Sequence, residues 1–94
     1  MAKFMGIHSF PPNAFSVDQV CQLAKAAQND SAVRGYRSFL SLGEGKAVCI
    51  MEAPDRQAVV DWFRKMNMPT DSITQLDIEG DRGSVQQLRE TQAV

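Results

Sequence analysis

A strand that runs straight into a helix, Ala47-Val48-Cys49-Ile50-Met51-Glu52-Ala53-Pro54-Asp55, sets the pattern for the rest of the chain. Residues 47–52 suit a short apolar strand. Pro54 suits a first helical turn, and Asp55 complements the positive end of the helix dipole. The apolar face of that helix is Ala58, Val59, Trp62, Phe63 and Met66, with Asn67 as a left-handed cap and Pro69 forbidding continuation. Upstream, residues 3–10 form a first apolar strand, broken at Phe10-Pro11-Pro12-Asn13 because proline lacks the ladder donor and restricts its predecessor. Ser16-Val17-Asp18-Gln19 then reads as a capping box, opening a helix whose stripe is Val17, Val20, Leu23, Ala24 and Ala27. Residues 33–42 are a second strand, Gly43-Glu44-Gly45-Lys46 a hairpin turn, and Ile73–Ile78 a last strand. The order β-α-β-β-α-β predicts an α+β, ferredoxin-like domain over residues 1–79, with a four-stranded antiparallel sheet and two helices on one face. Residues 80–94 are a polar tail, in which Ser84-Val85-Gln86-Gln87 starts a short helix or the segment stays disordered.

At 94 residues and a formal net charge of -1, the chain is one domain with no basic footprint, which speaks against nucleic acid as a partner. No apolar run approaches the length of a membrane span, and the N-terminus lacks a signal-peptide pattern. Cys21 and Cys49 lie far apart without a Cys-x-x-Cys spacing, as expected of reduced thiols in the cytoplasm.

A four-residue turn at 43–46 pairs Leu42 with Ala47, Leu40 with Cys49 and Arg37 with Glu52, the last as an ion pair at the sheet rim. Placing His8 opposite Cys49 and Gly6 opposite Met51 puts Met5, Ile7, Phe39, Val48 and Ile50 under the helices. Phe4, His8, Phe10, Tyr36, Leu40, Leu42, Cys49 and Met51 then form the uncovered face. Such a face is too apolar for a monomer, so the expectation is a homodimer, sheet on sheet, enclosing a cavity with His8 and Cys49 beside it.

Imidazole and thiolate are ligands for nickel, copper or zinc, and Met51 offers a soft thioether. His8 and Cys49 are therefore candidate metal ligands, with Glu52 a further carboxylate at the end of the third strand. Against this stands the plainer view of His8 as a hydrogen-bonded interior residue and Cys49 as a small core residue. Glu52 on that view is a rim carboxylate. Phe4, Tyr36 and Met51 are candidate cavity-lining residues. A Cys49–His8 nucleophile–base pair lacks an orienting third group and an oxyanion hole. The Gly43–Lys46 segment lacks the spacing of a phosphate loop.

Three stretches carry a family resemblance: Phe4-x-x-x-His8, Val48 to Asp55, and Asn67-Met68-Pro69-Thr70-Asp71-Ser72-Ile73. They resemble a family of small bacterial proteins described as nickel-binding members of the dimeric α+β barrel superfamily, over about residues 3 to 79. The resemblance implies a ferredoxin-like dimer and nickel or other transition-metal binding. His8 and Cys49 match the family's first-strand histidine and third-strand cysteine. The chain departs from the family at Phe63, where members often carry a histidine. Three readings follow: a non-catalytic metal-binding dimer, a module using the barrel cavity for a small apolar ligand (as monooxygenases or isomerases do), and a ligand-free dimeric interaction domain.

Overall fold

The structure, a computed structural model, describes residues 1–89. The capping box forms as read: Ser16 Oγ accepts from the Gln19 amide at 3.2 Å, and the Gln19 side chain accepts from the Ser16 amide at 2.7 Å. Helix α1 (Val17–Asn29) follows from it. It is preceded by β1 (Ala2–Ser9) and succeeded by β2 (Arg34–Ser41) and β3 (Lys46–Ala53). Helix α2 (Arg56–Lys65) starts two residues after Pro54, with Asp55 as the cap accepting from the Ala58 amide at 2.9 Å. Asn67 takes the left-handed conformation at φ 55, and the Met68 amide returns to the Phe63 carbonyl at 2.9 Å, closing the helix before Pro69.

With β4 (Ser72–Gln75), these strands make one sheet in the order β2-β3-β1-β4, every neighbouring pair antiparallel. The β1–β3 register sets Gly6 opposite Cys49, His8 opposite Ala47 and Phe4 opposite Met51. This is two residues from the expected pairing of His8 with Cys49. The β2–β3 register is also displaced: Leu40 faces Ala47, Ser38 faces Cys49 and Arg37 faces Ile50. The reason is the turn, which uses residues 42–45 and closes on Ser41–Lys46, with Gly45 at φ 68. A bulge between Gly35 and Arg37 then lets Arg34 reach Glu52.

Displacements of two residues keep each side chain on its face, yet the faces are covered the other way round. Phe4, His8, Cys49 and Met51 are buried together with Ala27 of α1 and Val59, Trp62 and Phe63 of α2. Met5, Ile7, Val48 and Ile50 are half-buried on the uncovered face, where Phe39 stays 62% exposed. The side of the sheet that carries Gly6, Ala47, Cys49 and Ala53 accepts the helices because small residues let a helix approach closely. A methyl group at Gly6 would stand 2.7 Å and 2.9 Å from the Phe63 ring.

The segment after β4 is neither helical nor a plain tail. β5 (Ile78–Asp81) and β6 (Ser84–Gln87) pair antiparallel across Arg82-Gly83, both at positive φ, the signature of a two-residue hairpin turn. The expected strand Ile73–Ile78 is therefore split, and the hairpin crosses the boundary placed at residue 79. Glu79 anchors it: its carboxylate takes a 2.7 Å ion pair from Lys3 and a hydrogen bond from the Tyr36 hydroxyl. Lys3 also lies 3.6 Å over the Tyr36 ring. Of the expected tail, residues 90–94 lie outside the described residues.

Candidate functional site

Strand alternation puts His8 on the helix side of β1, and it has no solvent exposure at all. Its Nδ1 lies 2.9 Å from the Pro69 carbonyl, which can only accept, so Nδ1 carries the proton and Nε2 presents a bare lone pair. The Thr70 hydroxyl is a further neighbour of Nδ1 at 3.3 Å. Nε2 has no hydrogen-bond partner among the described residues. The Phe63 ring meets the imidazole edge to face, centroids 4.6 Å apart, and Gly6 closes the remaining side. Burial pushes the His8 pKa below its ordinary 6.5, outweighing the opposing pull of the Pro69 carbonyl and the Asp71 carboxylate. This is a neutral imidazole in a closed box.

Cys49 shares the His8 face, one pair along the sheet and opposite Gly6. Burial raises its thiol pKa, and a hydrogen bond with Ser38 offsets only part of that. The thiol therefore stays protonated, and His8 Nε2 makes no contact that could activate it. Glu52 is on the opposite face of the sheet, between Lys3 of β1 and Arg34 of β2. It joins neither His8 nor Cys49, and the expected Arg37–Glu52 pairing is replaced by Arg37–Ile50. Among the described residues, no group of three or more His, Cys, Asp or Glu side chains stands together as metal ligands do. Within one protomer the buried nitrogen left open among the described residues is His8 Nε2.

The protomer holds a space of its own, distinct from the cavity expected between two copies of the sheet. About 350 Å³ lies between α1 and the helix-covered side of the sheet. Cys49 and Met51 line it, as does Tyr36 at the β2 bulge; Phe4 is packed in the core instead. The sequence reading missed Phe15, Leu23, Leu40, Trp62 and Met68 as lining residues. The signal was there in α1: Ala24, Ala26 and Ala27 make its inner stripe too thin to fill the space a helix normally fills against a sheet.

Comparison with known proteins places this geometry. A family model described as "Nickel responsive protein SCO4226-like" matches residues 4–76, which takes in the whole sheet except its extremes and stops short of the β5–β6 hairpin. The crystal structure of SCO4226 from Streptomyces coelicolor A3(2) shares the fold, with a TM-score of 0.69 and 22% sequence identity over 84% of this chain and 100% of that one. No curated protein matches. The chain belongs to the nickel responsive SCO4226-like family.

Proposed function

We propose that this chain acts as a non-catalytic homodimer in a cytoplasmic response to nickel, two ferredoxin-like protomers meeting sheet to sheet as an α+β barrel. One observation carries the reading. The sheet has helices on one side only, and its other side offers Met5, Ile7, Val48 and Ile50 half-covered and Phe39 62% exposed. A contiguous apolar patch of that kind marks an association surface, and two copies of a flat, self-complementary sheet face satisfy each other by twofold symmetry. The strand order β2-β3-β1-β4 supports the ferredoxin-like description. A protonated Cys49 thiol and an unengaged His8 support binding over catalysis. Free Cys21 and Cys49 support a reducing compartment. No helix among the described residues is long and apolar enough to cross a membrane. The link to nickel comes from the family description.

Sedimentation of the purified protein tests the dimer. The wild type sediments at twice the protomer mass, and Phe39→Asp combined with Ile50→Asp converts it to a folded protomer. A wild type that sediments as a single protomer at all concentrations overturns the reading.

A second reading, direct contact of nickel or another divalent transition metal with the chain, rests on the unpartnered Nε2 of His8. A neutral imidazole whose other nitrogen is fixed by a carbonyl is the form in which histidine binds metals. A metal ion reaching that lone pair has to displace the Phe63 ring, and Cys49 is the thiol on the same face. Equilibrium dialysis against nickel separates the readings: stoichiometric uptake lost in His8→Ala establishes the second, and no uptake by the wild type removes it while leaving the dimer intact.

A further inference from the structure

α1 is tied down at its two ends, and along its length only Leu23 and Ala26 pack, partly buried, against the core. At the C-terminal end it touches down on β2: a methyl group at Gly35 would meet the Ala27 Cβ at 3.0 Å, and the Gln28 side chain donates to the Gly35 carbonyl. At the N-terminal end the preceding loop is tied to the β2–β3 turn, through Phe10 N–H to the Gly45 carbonyl at 3.0 Å and Asn13 N–H to the Leu42 carbonyl at 2.8 Å. Val20, Leu23 and Ala26 are half-buried, and Ala27, at the first of these supports, is the one fully buried residue of the helix. The unfilled space beneath it is the cavity of about 350 Å³.

Protein interiors are packed as densely as organic crystals, and atoms lining a gap forfeit their dispersion contacts. A gap this size in so small a domain is a place for a guest, and its volume falls at the lower end of small-molecule sites. The lining defines the guest. Leu40, Cys49 and Met51 rise from the sheet, Trp62 closes the α2 side, and Phe10 and Phe15 stand edge to face, centroids 4.9 Å apart, at the N-terminal end of α1. Aromatic edges and polarizable sulfur favour an aromatic ring over an alkyl chain. The space between a helix and a sheet favours a flat molecule. Among the described residues no acidic side chain lines the cavity, so nothing there rewards a cation. Its one charged residue, Arg37, pairs with Ile50 of the uncovered face, so its guanidinium does not call for an anion there. We propose that the space between α1 and the sheet is a binding site for an uncharged, planar aromatic molecule, seated on Leu40, Cys49 and Met51 and bounded by Trp62. The site lies within one protomer, on the side away from the proposed dimer face, so it stands or falls separately from the homodimer.

Trp62 is the only tryptophan of the chain, which makes the test direct. The probe is N-phenylnaphthylamine, an uncharged aromatic whose absorption overlaps tryptophan emission. With the full-length protein, titration gives saturable energy transfer from Trp62 at one probe per protomer, and the probe raises the melting temperature. Ala24→Phe and Val20→Phe, each placing a ring into the cavity from α1, weaken binding at least tenfold while the far-ultraviolet circular dichroism stays native. Phe39→Asp, on the uncovered face, leaves the affinity unchanged. The proposal is overturned if the wild type gives no saturable signal, if both filling variants bind as the wild type does, or if Phe39→Asp abolishes binding, which places the probe on the sheet face.

Discussion

The two helices lie on the same side of the same sheet and differ in how they meet it. α2 buries Val59, Trp62 and Phe63, and its Phe63 ring fills the hollow over Gly6 until nothing but the imidazole of His8 shares it. α1 buries Ala27 alone and leaves a hollow. Both helices are capped and both are amphipathic, so the difference is one of side-chain volume along the inner stripe: Val, Trp and Phe against Val, Leu and three alanines. A helix held by large side chains is part of the core, and a helix held at its ends spans a space. The first arrangement supplies stability, and the second supplies room.

The largest effect expected from this contrast is at Phe63. Phe63→Ala costs about 3–5 kcal/mol, the range for emptying a well-packed aromatic site, whereas Leu23→Ala on the half-buried stripe of α1 costs about 1 kcal/mol, because the side chain is only partly enclosed. Urea unfolding of the two variants checks it, and equal losses remove the distinction between the helices. Gly6→Ala probes the same α2 seam from the sheet side. Its added methyl group meets the Phe63 ring at 2.7 Å and His8 Nε2 at 3.1 Å, and the overpacking costs about 1–3 kcal/mol despite the gain in strand propensity.

A smaller effect is read by pH. The His8 pKa in the folded protein lies below its ordinary 6.5, so the unfolded chain takes up the proton first as the solution is acidified. Stability from the neutral imidazole is complete above about pH 6.5 and declines as the pH falls, by up to about 1.4 kcal/mol per unit, until the folded form is itself protonated. The decline begins above the range in which the Glu79 carboxylate, held below its ordinary 4.5 by the Lys3 and Tyr36 hydrogen bonds, starts to matter. Unfolding free energies measured between pH 7 and pH 5 show this slope in the wild type, and His8→Gln flattens it. A wild type whose stability is level across that interval contradicts the buried, neutral state of His8.

Element types and order were largely legible because their signals are local. The Ser16–Gln19 box, the Asp55 cap and the Asn67-Met68-Pro69 stop each act within one helical turn. The choice of face was not legible from alternation, since Phe4, Met5, Ile7 and His8 place apolar or aromatic side chains on both sides of β1 alike. Size decides it. The row Ala47, Cys49, Met51, Ala53 is slimmer than Val48, Ile50, and the slimmer row lies under the helices. Register was missed for a different reason: the β2–β3 loop had one residue's latitude, and shifting it moved every pair by two. His8 and Cys49 share a face as alternation requires, and Glu52, an odd number of residues from Cys49, lies on the other. The C-terminal hairpin was missed because Arg82-Gly83 is a turn signal with only short, mostly polar strands beside it, and what holds them is a distant lysine and tyrosine.

The bond from His8 to the Pro69 carbonyl has a mechanical meaning. It bolts the exit of α2 to β1, an inner strand of the sheet, across 61 residues of chain. The run into α1 has its own fastening at the far corner, where Phe10 and Asn13 bond to the β2–β3 turn, so the two helices are moored to the sheet at separate points.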